Sequence, residues 1–146
     1  MEQLLKNKIE LTELANKLFM YTDTQRWDLL LSEVFTDTVE FDMSSVNGQA
    51  PEQMKASQIC ELWKNGFAGI DSVHHQAGHY LITVKENAAD IFAYAVATHY
   101  KKETTQGNIR SFTGSYNLKA VETDEGWRIS HFKYNLKFAE GNTEFK

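Results

Sequence analysis

The sequence predicts an α+β domain in which helices gather on one side of an antiparallel sheet. Three observations carry this expectation. Apolar residues recur at helical spacing, uninterrupted by Gly or Pro, through the first 22 residues. A second helical pattern follows a single alternating strand, and almost everything after Val73 is rich in β-branched and aromatic residues. At 146 residues the chain reads as one domain, 1–146, long enough to bury a core without disulfides or metal.

The first helix rests on Leu4, Leu5, Ile9, Leu11, Leu14, Ala15, Leu18, Phe19 and Tyr21. Asp23 and Thr24 then precede Trp27-Asp28-Leu29-Leu30-Leu31, where either suits the cap of a short second helix. Thr38–Met43 alternates apolar and polar residues, as a strand with one buried face does. Ser44–Ala50 reads as a polar loop, after which Pro51 opens a helix where its missing N–H does no harm. Met54, Ile59, Leu62, Trp63 and Phe67 give that helix an apolar face, and Gly66 and Gly69 suit its end. Four consecutive antiparallel strands follow: Val73–Lys85, Ile91–Lys102, Arg110–Glu122 and Trp127–Phe138, with turns near Glu86-Asn87 and Asp124-Glu125-Gly126. A polar, mobile tail is expected over 139–146. A strongly curved sheet wrapped around the long helix would leave a pocket between them.

Composition narrows the function classes. Hydrophobic residues make up 42% and charged residues 24%, ordinary for a globular chain. A net charge of −5 with scattered basic residues argues against nucleic acid as a partner. The first residues lack a signal-peptide pattern, and no apolar run approaches the roughly 18 residues that span a bilayer. The lone Cys60 forms no internal disulfide and suits a reducing compartment. A cytoplasmic protein that does not engage membranes is the expectation.

Four of the five histidines, His74, His75, His79 and His99, fall in strand-like segments downstream of Asp23. A carboxylate beside an imidazole makes a proton-transfer pair, because histidine titrates nearest neutrality. As a functional residue Asp23 would accept the N–H of His75 and free the other ring nitrogen to take a proton. The competing reading is an exposed helix cap. In a strand His75 and His79 share a face but stand roughly 13 Å apart, so one ion cannot span them, and no metal is expected. The strand ending in His99 has one face of small residues, Ala93, Ala95 and Ala97, and one bulky face, Phe92, Tyr94, Val96 and Tyr100. Alanines either leave room for a ligand contacted by His99, or let a helix pack closely with His99 in the core. Trp27, Trp63 and Trp127 fit a core, Cys60 fits an inert buried thiol, and Gly114 within a strand marks a bulge or a close approach to the backbone.

Several of these segments together resemble the SnoaL-like branch of the nuclear-transport-factor-2-like superfamily over residues 8–138. They are Tyr21-Thr22-Asp23-Thr24-Gln25-Arg26-Trp27-Asp28, Val39-Glu40-Phe41-Asp42, His74-His75-Gln76-Ala77-Gly78-His79 and Gly126-Trp127-Arg128-Ile129, in that order. The resemblance implies a cone-shaped, cystatin-like α+β barrel: a curved antiparallel sheet around the N-terminal helix, open at one end over a mostly apolar pocket. It is similar to the scytalone dehydratase-like and dehydrochlorinase-like members, which implies a catalytic Asp23–His75 pair with His99 as a second pocket histidine. The pattern departs where those enzymes activate their substrates, since Thr22 and Met43 replace two tyrosines and Leu18 replaces a lysine.

The expected function is a cofactor-independent lyase or isomerase acting on a small hydrophobic ring or carbonyl compound. His75 would be the base, Asp23 its orienter, and His99 a second acid or oxyanion partner. Tyr21, Trp27, Met43, Trp63, Ala95, Ala97, Phe112 and Gly114 are the expected substrate-binding residues. Two alternatives use the same fold: a non-catalytic ligand-binding module, and an interaction protein pairing through the bulky sheet face. A homodimer is expected from the resemblance.

Overall fold

The computed structural model describes residues 1–146. The first helix, α1, spans Glu2–Asp23. Leu11, Leu14, Ala15, Leu18 and Phe19 are buried, whereas Leu4, Leu5 and Ile9 stay exposed. Helical spacing therefore marks more apolar positions than the sheet covers. A single turn, α2 (Trp27–Leu29), runs into a π-helical turn over Leu30–Val34 that buries Leu30 and Val34. Neither expected residue caps α2. The Thr24 hydroxyl donates to the Met20 carbonyl at 2.9 Å and closes α1, and Asp23 is engaged elsewhere.

β1 (Phe35–Asp42) leads to a four-residue helix, α3 (Ser44–Asn47), inside the segment expected to be loop. Asp42 Oδ1 accepts the Ser44 N–H at 2.9 Å, and Gly48, at φ +71°, ends the turn in the left-handed conformation glycine tolerates. Pro51 does not open a helix. It precedes a short strand, β2 (Glu52–Lys55), paired antiparallel with β1 from Thr38↔Lys55 to Phe41↔Glu52. At the head of an edge strand a missing N–H is as harmless as at a helix start, so the proline signal is ambiguous. The helix proper, α4, is Ala56–Gly66, and it begins where the Lys55 N–H donates to Gln58 Oε1 at 3.0 Å. Its buried face is Ala56, Ile59 and Cys60; Met54 belongs to β2 and Leu62 is exposed.

Four long strands complete the chain: β3 (Ser72–Lys85), β4 (Ala88–Tyr100), β5 (Ile109–Thr123) and β6 (Gly126–Gly141). The sheet order is β2-β1-β6-β5-β4-β3. β1 runs parallel to β6, so the sheet is not wholly antiparallel; no hairpin links these two strands to dictate their direction. The curved sheet stays unclosed, with β2 and β3 as its edges. β4 alternates as its sequence does: Ile91, Ala93, Ala95, Ala97 and His99 are buried, and Tyr94, Val96 and Tyr100 are exposed. Gly114 sits at a register shift between β5 and β6, where an added Cβ would strike the Tyr134 ring and the Asn135 carbonyl. The polar tail is tied down rather than mobile. Phe145 is buried, and the Lys146 carbonyl accepts the N–H groups of Thr105 and Gln106 at 3.0 and 3.1 Å.

Candidate active site

Asp23 is the last residue of α1 and reaches β3 at the sheet edge. An edge strand leaves alternate N–H groups without a sheet partner. The Asp23 carboxylate takes one of them, accepting the His75 backbone N–H through Oδ2 at 2.9 Å. Its other oxygen, Oδ1, lies 2.5 Å from His75 Nδ1. Both side chains are largely shielded from solvent, at 15% and 10% exposure. The backbone contact fixes the carboxylate, and the fixed carboxylate selects the ring orientation. A carboxylate only accepts, so neutral His75 carries its proton on Nδ1 and leaves a lone pair on Nε2. Phe19 of α1 packs against this ring with centroids 5.6 Å apart. His74 points the other way, exposed, with its Nδ1 3.9 Å from Asp23 Oδ2.

His75 pairs across the sheet with Ala97, two residues before His99. The two imidazoles are thus diagonal neighbours on one face, with backbones about 7–8 Å apart. His99 is buried, edge-on to Phe67 and beside Phe112. Its Nδ1 accepts the Arg110 Nε–H at 2.9 Å. Burial, then the Arg110 charge, then His75 push its pKa down from 6.5 to about 4. His99 is accordingly neutral at physiological pH.

Both histidines line one cavity of about 390 Å³, most of whose lining residues are apolar. Of the expected substrate-binding residues, Met43, Trp63, Ala97 and Phe112 line it, and Tyr21, Trp27, Ala95 and Gly114 do not. Tyr21 is drawn away by its hydroxyl, which donates to Glu33 at 3.4 Å. Trp27 stacks behind Phe67 at 6.4 Å rather than facing the cavity. Ala95 belongs to the packed core, so the alanine face serves packing at Ala93 and Ala95 and leaves room only at Ala97. The space beside Gly114 is taken by the Tyr134 ring. Thr22, Met43 and Leu18 all face the cavity, and the Thr22 hydroxyl is committed to the Leu18 carbonyl at 2.6 Å.

Sequence reasoning missed Arg110, Phe67, Tyr116 and Val46 in the wall. Arg110 had a readable signal: it shares strand parity with Phe112 and Gly114, so it belongs to the same face. Burial raises the Tyr116 pKa and keeps its phenol protonated. Larger hollows of about 560 and 620 Å³ lie on the outer sheet face, but Asp23, His75 and His99 line neither. No three His, Cys, Asp or Glu side chains are grouped to hold a metal ion. Cys60, buried on α4, has its thiol pushed up to about 11 by burial alone, as an unreactive thiol does.

This fold, a long helix held by a curved open sheet around a cavity, is the nuclear-transport-factor-2-like α+β cone. Residues 3–133 match the SnoaL-like domain, and the chain belongs to that family. Among solved structures, it is similar to the Kfla4162 protein of Kribbella flavida, at 24% identity and TM-score 0.91 over 97% of each chain. It is also similar to a provisionally named scytalone dehydratase of Novosphingobium aromaticivorans, at 13% identity and TM-score 0.80, over 96% of this chain and 90% of that one. A third, hexachlorocyclohexane dehydrochlorinase LinA-type3 of Novosphingobium barchaimii, has 12% identity and TM-score 0.77, over 94% and 90%. At these identities the likeness is one of fold. No curated protein matches the chain. No helix is long and apolar enough to cross a membrane.

Proposed function

We propose that the protein is a cofactor-independent lyase or isomerase of a small hydrophobic ring or carbonyl compound, with His75 as general base and Asp23 as its orienter. The observation that carries this reading is His75 on the wall of a mostly apolar cavity, with Asp23 behind it, outside the lining, binding both its backbone N–H and its ring Nδ1. Asp23 holds the ring so that the Nε2 lone pair is available, and its charge stabilises the imidazolium formed when His75 takes a proton. His99 serves as the second polar contact, as an acid or oxyanion partner. Two neighbours of this fold are named as a dehydratase and a dehydrochlorinase, names that denote eliminations, which favours the same class here. The side chains at Thr22, Met43 and Leu18 set this cavity apart from those enzymes, so neither of their substrates is transferred.

The test is deuterium exchange. A panel of cyclic ketones is incubated with the protein in D₂O, and loss of the proton next to the carbonyl is followed by NMR. His75→Ala and Asp23→Asn are each expected to slow exchange by about 10² or more, the range of a general base and its orienter. Ketones that bind and return without enzyme-dependent exchange would assign the cavity to binding alone.

We also propose that two copies pair through the outer sheet face and that the protein acts in the cytoplasm. Leu81, Tyr94 and Val96 are exposed together on β3 and β4, where solvent contact is unfavourable. Light scattering at micromolar concentration should give twice the chain mass, and Tyr94→Lys should halve it.

A further inference from the structure

Arg110 is a half-buried cation without a carboxylate partner, and none of the protein's ion pairs includes it. Removing a charge from water without compensating it is unfavourable, so such a group calls for an explanation. The guanidinium is held from three sides. Nε donates to His99 Nδ1 at 2.9 Å, Nη1 donates to the Thr143 carbonyl at 3.2 Å, and the Phe145 ring lies 4.4 Å away. Arg110 is also the one permanently charged side chain among the residues that line the cavity.

A guanidinium only donates, so the nitrogen receiving its hydrogen bond must present a lone pair. Neutral His99 therefore carries its proton on Nε2. That atom has no hydrogen-bond partner in the protein and is not fully buried, and His99 is one of the residues lining the cavity. The arrangement inverts that of His75, whose Nδ1 meets an acceptor.

We propose that Arg110 is a positioning residue that fixes His99 as a neutral Nε2–H donor, making this part of the cavity a receptor for a substrate oxygen that gains negative charge. The inference rests on the reading of His75 as base and narrows the substrate class to carbonyl compounds. In the step it implies, the C–H bond next to a carbonyl breaks and its proton passes to His75 Nε2. The freed electron pair becomes the new C=C bond, and the carbonyl π pair moves onto oxygen. The resulting enolate oxygen accepts the His99 Nε2–H bond in the field of Arg110.

Two readouts besides turnover test this. In protein with ¹⁵N-labelled imidazoles, long-range ¹H–¹⁵N spectra at pH 7 should show His99 protonated on Nε2 and His75 protonated on Nδ1. Arg110→Met should leave His99 a mixture of tautomers, and Arg110→Lys, which keeps a donor, should restore the single form. With 4-nitrophenol as an oxyanion probe, ionisation of the bound phenol should fall by about one pH unit relative to free phenol, and Arg110→Met should abolish the shift. A His99 protonated on Nδ1, a tautomer unchanged in Arg110→Met, or a probe shift that survives that substitution would overturn the proposal. The base reading fails separately: it falls if His75→Ala retains ketone exchange, whatever His99 shows.

Discussion

His75 and His99 are the same side chain, and the group facing Nδ1 is what distinguishes them. A carboxylate there leaves a lone pair for the cavity, and a guanidinium there leaves a proton. The second arrangement has a consequence for stability. In the unfolded chain His99 titrates near 6.5, but in the folded protein near 4, so between those values the unfolded state holds the extra proton. Stability from this group is complete above about pH 6.5 and drains away as pH falls toward 4. The loss is on the order of 2 kcal/mol, discounted for the ring's contact with the cavity. Urea titrations at pH 7, 6 and 5 should show the decline, and His99→Gln should flatten it. Asp42 contributes in a lower window. Hydrogen bonds from Ser44 hold its pKa below 3.8, so its contribution persists above that value and is lost only as pH falls further.

At the scale of elements, Gly114 and the tail show how packing sets the limits of the cavity. The β5 bulge lets the Tyr134 ring lie against a residue without a side chain. Gly114→Val should displace that ring and the Asn135 carbonyl, costing about 1–3 kcal/mol as overpacked sites do, measured as a lower urea midpoint with an unchanged slope. The legibility of the sequence follows the same line. Periodicity revealed α1, the four long strands and the two faces of β4, because each has one apolar side over many residues. It did not reveal β2, since a four-residue strand after Pro51 carries no pattern a helix start lacks. Asp23, His75 and His99 were readable as chemistry-bearing types at the ends or faces of regular elements. For Arg110 parity gave the face but not the partner, because its meeting with His99 depends on a β4–β5 register set across the connection after Tyr100, where no tight turn fixes the count. Tyr21 and Trp27, on helices, and Ala95 and Gly114, on strands, fall outside the cavity lining, because residue type and face do not say what else fills the space beside a side chain.

For the whole molecule, the sheet order places β6 between β1 and β5, so the last strand made joins the first to the rest. Trp127, Ile129, Phe132 and Tyr134 of β6 are also core residues, and Phe132 stacks on Phe41 of β1 at 5.3 Å. A fragment of residues 1–125 should therefore lack a cooperative unfolding transition by circular dichroism and be digested by protease within minutes, whereas the full chain resists. The same arrangement bears on biosynthesis. While the ribosome is still producing β3 through β5, β1 has only the short β2 along one edge and Trp63 of α4 over its apolar side chains, and the native contacts with β6 that complete its cover span most of the chain. Folding must wait for synthesis to reach the final strand. Until then the nascent polypeptide is a natural client for chaperones, and a slow stretch of codons before β6 would lengthen its exposure.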